Sequence, residues 1–188
     1  VTGDNAIVDW VQLELRDAGT PTALIATRAA LLQRDGDVVD IDGASAVSFR
    51  AGSGNYRVAV RHRNHLGAMS AAPIALTTAP VGVDFSNPAF AAYGTDARRL
   101  FNGRALLWSG EVVRDATLRY TGESNDRDPQ LQLIGGSVPT NVSAPGYYPE
   151  DVNLDGVVRY TGESNDRDPI LQNIGGSVPT NTRSQQLP

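Results

Sequence analysis

Asp151, Asn153 and Asp155 stand at alternate positions, and Gly156 follows directly. Oxygen-bearing side chains at positions one, three and five of a loop, with glycine at position six for the sharp turn, suit calcium, which takes about six to eight oxygen ligands. Val157 then falls at position seven, where the ligand is a backbone carbonyl. The implied chemistry is the binding of a hard cation, with no reaction attached to it.

The same stretch is written twice. RYTGESNDRDP at residues 119–129 returns unchanged at residues 159–169, an offset of 40 from Arg119 to Arg159, and IGGSVPTN follows each copy. In the first copy the aligned positions are Glu111, Val113, Asp115 and Ala116, with Thr117 at position seven. Val113 cannot ligate through its side chain, and Ala116 makes the sharp turn less easily than glycine. A standard loop closes on an acidic residue at position twelve, but that position is Gly162 here, so one of Glu163, Asp166 or Asp168 must close the shell after an insertion. Asp168-Pro169 reads as the N-cap and first residue of a short helix, Pro169 to Ile174, stopped by Gly175-Gly176. With Asp168 set aside as the cap, Asp166 is the expected late ligand. The expected strong site is therefore Asp151, Asn153, Asp155, Val157 and Asp166, and the expected weak site Glu111, Asp115, Thr117 and Asp126.

Composition removes most other chemistries. The 188 residues include no cysteine, which excludes disulfides, thiolate zinc sites and thiol catalysis. All 16 basic residues are arginine, so Schiff-base chemistry and lysine isopeptide cross-links are excluded too. His62 and His65 would face opposite sides of a strand and lack a third ligand for zinc. No Gly-x-Ser-x-Gly elbow marks out a nucleophile, so no enzyme activity is expected. A net charge of −5 without a basic run argues against nucleic acid. No apolar run approaches the roughly 20 residues of a membrane span. A chain that starts at Val1, with its single methionine at Met69, is expected to have lost a signal peptide or to be a fragment.

The elements that position the loops are mostly strands. Ile7 to Arg16 alternates, with Ile7, Val11, Leu13 and Leu15 on one side and Gln12, Glu14 and Arg16 on the other. Thr22 to Arg34 reads as one or two strands. Asp35-Gly36 and Asp42-Gly43 are turns around a short strand, Val38 to Ile41, and they account for the acids Asp35, Asp37, Asp40 and Asp42 better than a cation site does. Val47 to Arg50, Tyr56 to Arg63 and Ile74 to Thr77 continue the series. In the last but one of these, Arg57, Arg61 and Arg63 read as a solvated stripe. The predicted class is mainly β: an N-terminal β-sandwich of Ig-like type over residues 1–80, then a loop-rich packed connector over 81–108. A duplicated module of EF-hand-like loops and short helices follows over 109–181, with repeats 109–141 and 149–181, and an extended tail over 182–188.

Tandem Asp-x-Asn-x-Asp-Gly loops, each followed by a short helix, resemble the duplicated calcium segments of type I dockerins. That resemblance covers residues 109–181 and implies a docking module that plugs a secreted protein into a partner. DVNLDGVVRY and NDRDPIL, together with VAVRHRNHLGAMS upstream, also resemble the C-terminal regions of large secreted surface proteins of Bacteroidetes-type bacteria, which implies export and a cell-surface setting. The resulting expectation is an extracellular, non-enzymatic calcium protein that assembles with itself or with a surface protein into a fibre, filament or layer. A dockerin-like docking module is the alternative, and a carbohydrate-binding or adhesion module the third, for which an aromatic content of 6% offers little platform.

Overall fold

The computed structural model describes residues 3–188. The chain is mainly β. Strand β1 (Ile7–Asp17) lies at the centre of a six-stranded sheet in the order β3-β2-β1-β4-β5, where β2 is Leu24–Gln33, β3 Val38–Val39, β4 Gly54–His62 and β5 His65–Met69. A further strand, β6 (Ile74–Leu76), pairs with the beginning of β4. Both neighbours of β1 run antiparallel to it, with Leu13 opposite Arg28 on β2 and Val60 on β4. These strands form one sheet. The stretch Thr22 to Arg34 contains a single strand, β2, Val47 to Arg50 stays irregular, and β5 is an element the pattern did not mark. The reason lies in burial: Leu66, Gly67, Ala68 and Met69 are all buried, so β5 carries no alternation to read.

Two compact units share the chain, and they do not follow the boundaries at 80, 108 and 181. The first takes the residues up to His62, then Gly67–Leu106 and Gln186–Pro188; the second takes Arg63–Leu66 and Leu107–Gln185.

In the first unit the polar side of β1 is not solvated as its pattern suggested. Glu14 and Arg16 are both buried, because the Glu14 carboxylate accepts from Arg16 (2.8 Å) and from Arg61 on β4 (2.6 Å). Arg57 points its guanidinium at the carbonyls of Ala18, Ser70 and Ala71. Arginine is the residue for such sites, since its planar fork satisfies several carbonyls or carboxylates at once. Residues 81–106 join the β5 side of the sheet through Tyr93 N–H to Met69 O (2.8 Å) and Ala71 N–H to Ala91 O (2.9 Å). Arg98 gathers the carbonyls of Phe85, Asn87 and Phe90, and a hairpin follows, β7 (Arg99–Phe101) and β8 (Arg104–Leu106). The end of the chain is not an extended tail here: Leu187 packs against Ala59, Met69 and Tyr93, and Arg16 donates to the Pro188 carbonyl (2.6 Å).

The second unit holds the two repeats, with β9 (Thr117–Arg119), α1 (Asp128–Leu133), α2 (Arg167–Asn173) and β10 (Thr182–Ser184). Each repeat completes the other. β10, which follows the second repeat, pairs antiparallel with β9 of the first, Thr182 opposite Arg119. Correspondingly, Val142 after the first repeat bridges Arg159 of the second. Thr121 donates to the Pro179 carbonyl and Thr161 to the Pro139 carbonyl, both at 2.9 Å. Contacts that swap in this way, residue i to j and its equivalent back, define a pseudo-twofold relation.

Between the repeats, Val112, Val152 and Ile170 form one buried cluster, while Leu66, Leu118 and Ile174 form another under Trp108, Tyr120 and Leu171. Asn64, fully buried, ties both repeats at their aligned starts. Its carbonyl accepts from Gly110 and Glu111, and its side-chain amide donates to Pro149 O (2.9 Å) and Asp151 O (2.6 Å). Removing that amide takes the donor from the half-buried Pro149 carbonyl and the buried Asp151 carbonyl, and a buried group left so costs about 1–3 kcal/mol. Asn64→Ala is therefore expected to destabilise the second unit by about 2–5 kcal/mol, read as a lower urea midpoint at unchanged slope.

Candidate functional site

Each repeat loop is organised around one buried carboxylate. In the second, Asp166 Oδ1 accepts from the N–H of Val152 (2.8 Å) and Asn153 (3.1 Å), and Oδ2 accepts from Arg159 N–H (2.8 Å). In the first, Asp126 does the same with Val112, Val113 and Arg119, at 2.8 to 2.9 Å. Return bonds from Asp126 N–H to Arg119 O and from Asp166 N–H to Arg159 O close the inner turn. The two loops share their backbone as well as their bonds. Arg114 and Leu154 have φ of 64° and 63°, and Ala116 adopts 66° where Gly156 has 87°. Ala116 therefore accepts the left-handed conformation that glycine takes more cheaply.

The rest of the predicted strong site lies around this carboxylate. Asp151, 1% exposed, accepts from Asp155 N–H (3.1 Å) and Gly156 N–H (3.0 Å). Asn153 is exposed; its Oδ1 accepts from Asp155 N–H and its amide donates to Ser164 O. Asp155, also exposed, accepts from Val157 N–H and pairs with the Arg159 guanidinium. In the weak site Glu111 accepts from Asp115 N–H (2.8 Å), and Asp115 accepts from Thr117 N–H and pairs with Arg119. Val113 stands where Asn153 stands in the second loop and adds no oxygen. Glu163 and Asp168 are exposed, and Asp168 lies inside the first turn of α2.

The helix start differs from the sequence reading. Helix α2 begins at Arg167, two residues before Pro169, and the side chain that caps it is Asn165, whose Oδ1 accepts Asp168 N–H (3.0 Å). Asn125 caps α1 through the same bond to Asp128. Asn165 sits two residues before the helix begins, and its amide also bonds Gly162 O and Asp168 Oδ2, which fixes the turn as well as the cap. The expected stop holds: Gly175 and Gly176 take positive φ, and their N–H groups bond Gln172 O and Leu171 O.

Burial pushes these acids up, even at Asp151, where Arg63 lies 3.9 Å away. Asp166 rises to about 6, chiefly through burial, with the three backbone N–H groups opposing and the Asp151 charge adding. Asp126 also rises to about 6 by burial, and Glu111 to about 7 by burial and then by the Asp126 charge. Asp151 is raised by burial, held back by Gly156 N–H and Arg63 and pushed further by Asp155. The second loop thus offers the donor types a hard cation takes, in carboxylates that influence one another. Among the described residues, however, no three such groups converge closely enough to hold a metal ion as they stand. Asp166 is directed to backbone amides and Asp155 to Arg159. Sequence reasoning passed over Arg119 and Arg159, although their signal was present: arginine at position nine of both loops, four residues after the position-five acid.

Comparison with family models, with characterised proteins and with solved structures finds no match to this chain. Function has to be argued from the site itself. No helix among the described residues is long and apolar enough to cross a membrane.

A carboxyl whose folded pKa lies above its unfolded value binds protons more tightly when folded, so it favours folding at low pH and loses that contribution as pH rises. For Asp126, Asp166 and Glu111 the window runs from about 4 to about 7. In chelator the melting temperature of the second unit is expected to fall as pH is raised from 5 to 7.5. A melting temperature that rises across that window would contradict this assignment.

Proposed function

We propose that this chain is a non-enzymatic, extracellular, calcium-binding structural protein, a self-assembling subunit of a surface fibre, filament or layer. The observation that carries the reading is the duplicated loop: two copies with the same backbone, each burying carboxylates whose charge the loop itself does not cancel. A buried anion is expensive unless a cation answers it. In the second loop Asp151, Asn153, Asp155, the Val157 carbonyl and Asp166 would hold the ion, as EF-hand-like loops do. Calcium would supply the charge that the buried Asp166 carboxylate lacks. The first loop, with Glu111, Asp115, Thr117 and Asp126, has fewer donors and would bind weakly.

Arg159 gives the site a tuning element. Its guanidinium already answers Asp155, so a bound cation must displace it, and the loop keeps its shape at low calcium because that charge is built in. Stabilisation then follows mass action: calcium at about 100 times its dissociation constant adds roughly 2.7 kcal/mol to the folded state.

A docking module of dockerin-like type is the second reading. It is favoured by Val138 and Val178, equivalent residues of the two repeats, each 46% exposed, which present the same apolar feature twice.

Isothermal titration is expected to show calcium binding that Asp151→Asn weakens and Arg159→Ala tightens by up to about fivefold, the worth of an exposed ion pair near 1 kcal/mol. Sedimentation velocity in millimolar calcium is expected to show large species that collapse on chelation. No heat of binding by the wild type would remove calcium from this reading, and a monomer in both buffers would favour the docking module.

A further inference from the structure

Hairpin β7–β8 exposes large apolar side chains on both its faces. Leu100 and Phe101 are consecutive, so they point to opposite faces, yet they are 70% and 50% exposed. Leu106 on the second strand is exposed as well. The turn Asn102-Gly103 has positive φ at both residues, 47° and 75°, the geometry of a tight hairpin turn. A two-stranded ribbon is marginal in water unless a third strand or another layer covers it. Only Ala105, bonded to Ser86 O (2.8 Å), is buried. The ribbon also carries cations: Arg99 lies over the Phe101 ring (5.2 Å) and Arg104 reaches Ser86 Oγ (3.2 Å), whose hydrogen bond lowers the pKa of Asp84, with the Arg104 charge adding.

The opposite margin of the same unit has the complementary character. At the β3 edge, Asp4, Asp35, Asp37 and Asp42 are all exposed, with Arg34 the basic residue among them. Ile41, 65% exposed, stands beside Asp42. Asp40 is already paired with Arg28 and adds no charge to this surface. The layer that carries the hairpin joins the sheet on its β5 side, so β4, β1 and β2 lie between the two surfaces, and one copy can use both at once.

We propose that hairpin β7–β8 of one molecule docks on the acidic, Ile41-bearing β3 edge of a second copy of this chain. The two surfaces differ, so the contact is head-to-tail, and a heterologous contact that does not close into a ring propagates as a filament. Leu100 and Phe101 supply the apolar area, while Arg99 and Arg104 meet the aspartates and set the register. This contact rests on the self-assembly reading and gives it a surface.

The test uses the full chain by sedimentation velocity in calcium, with three variants checked for unchanged melting temperature: Arg99→Glu with Arg104→Glu, Asp4→Arg with Asp37→Arg, and Leu100→Ser with Phe101→Ser. Each is expected to raise the concentration needed for assembly by roughly tenfold or more. The two charge-reversed variants, mixed, are expected to assemble again as alternating copies. Wild type that assembles while the variants assemble equally well would overturn the hairpin contact and leave self-assembly standing. Variants that fail alone but are not rescued by mixing would also overturn the pairing of these two surfaces. Wild type that stays monomeric would overturn both.

Discussion

One carboxylate accepting three backbone N–H groups holds each loop of the second unit together. Asp126 and Asp166 do what a longer hydrogen-bonded segment would otherwise have to do, joining residues fourteen apart to a turn only seven residues away. Charged acceptors bond more strongly than neutral ones, which lets so short a chain hold left-handed residues such as Arg114, Ala116 and Leu154. The same burial makes the negative charge costly. The carboxylate that ties each loop together is therefore also the one whose ionisation burial opposes.

The repeats depend on each other in a way that a simple tandem array does not. Each loop lends its following strand to the partner repeat, and Asn64 grips both at equivalent places. Neither repeat has a full set of backbone partners without the other, so duplication here produces a single cooperative unit. The symmetry is imperfect where it faces the core. Gln130 is buried in the position that Ile170 fills, its amide donating to Asp166 O (3.0 Å), while Ile170 packs against Val112 and Val152.

In the first unit, arginine takes the place that disulfides or a larger apolar core would hold in another fold. Arg16, Arg57, Arg61 and Arg98 each satisfy a carboxylate or several carbonyls inside or beside the sheet. The exclusive use of arginine as the basic residue suits this role, because the guanidinium resists neutralisation and bonds in a plane. Its surfaces remain unlike each other, cationic and apolar at the hairpin, acidic at the far edge.

The sequence by itself determined the duplication, the Asx-rich turns, the central strand from Ile7 and the glycine stops after both helices. These are local: identical residues at one offset, strict alternation, and backbone conformations that glycine and asparagine reach cheaply. Tertiary structure alone decided which acids become internal acceptors, which arginines are buried, and where β5 and the hairpin lie. Glu14 and Asp166 look like surface residues until Arg61 or three amide groups are brought to them from elsewhere in the chain. Spacing put Gly162 at position twelve and Asp166 beyond it, but not the role of Asp166 in the inner turn, because the hydrogen bonds that close that turn onto Arg159 arise only in the folded loop.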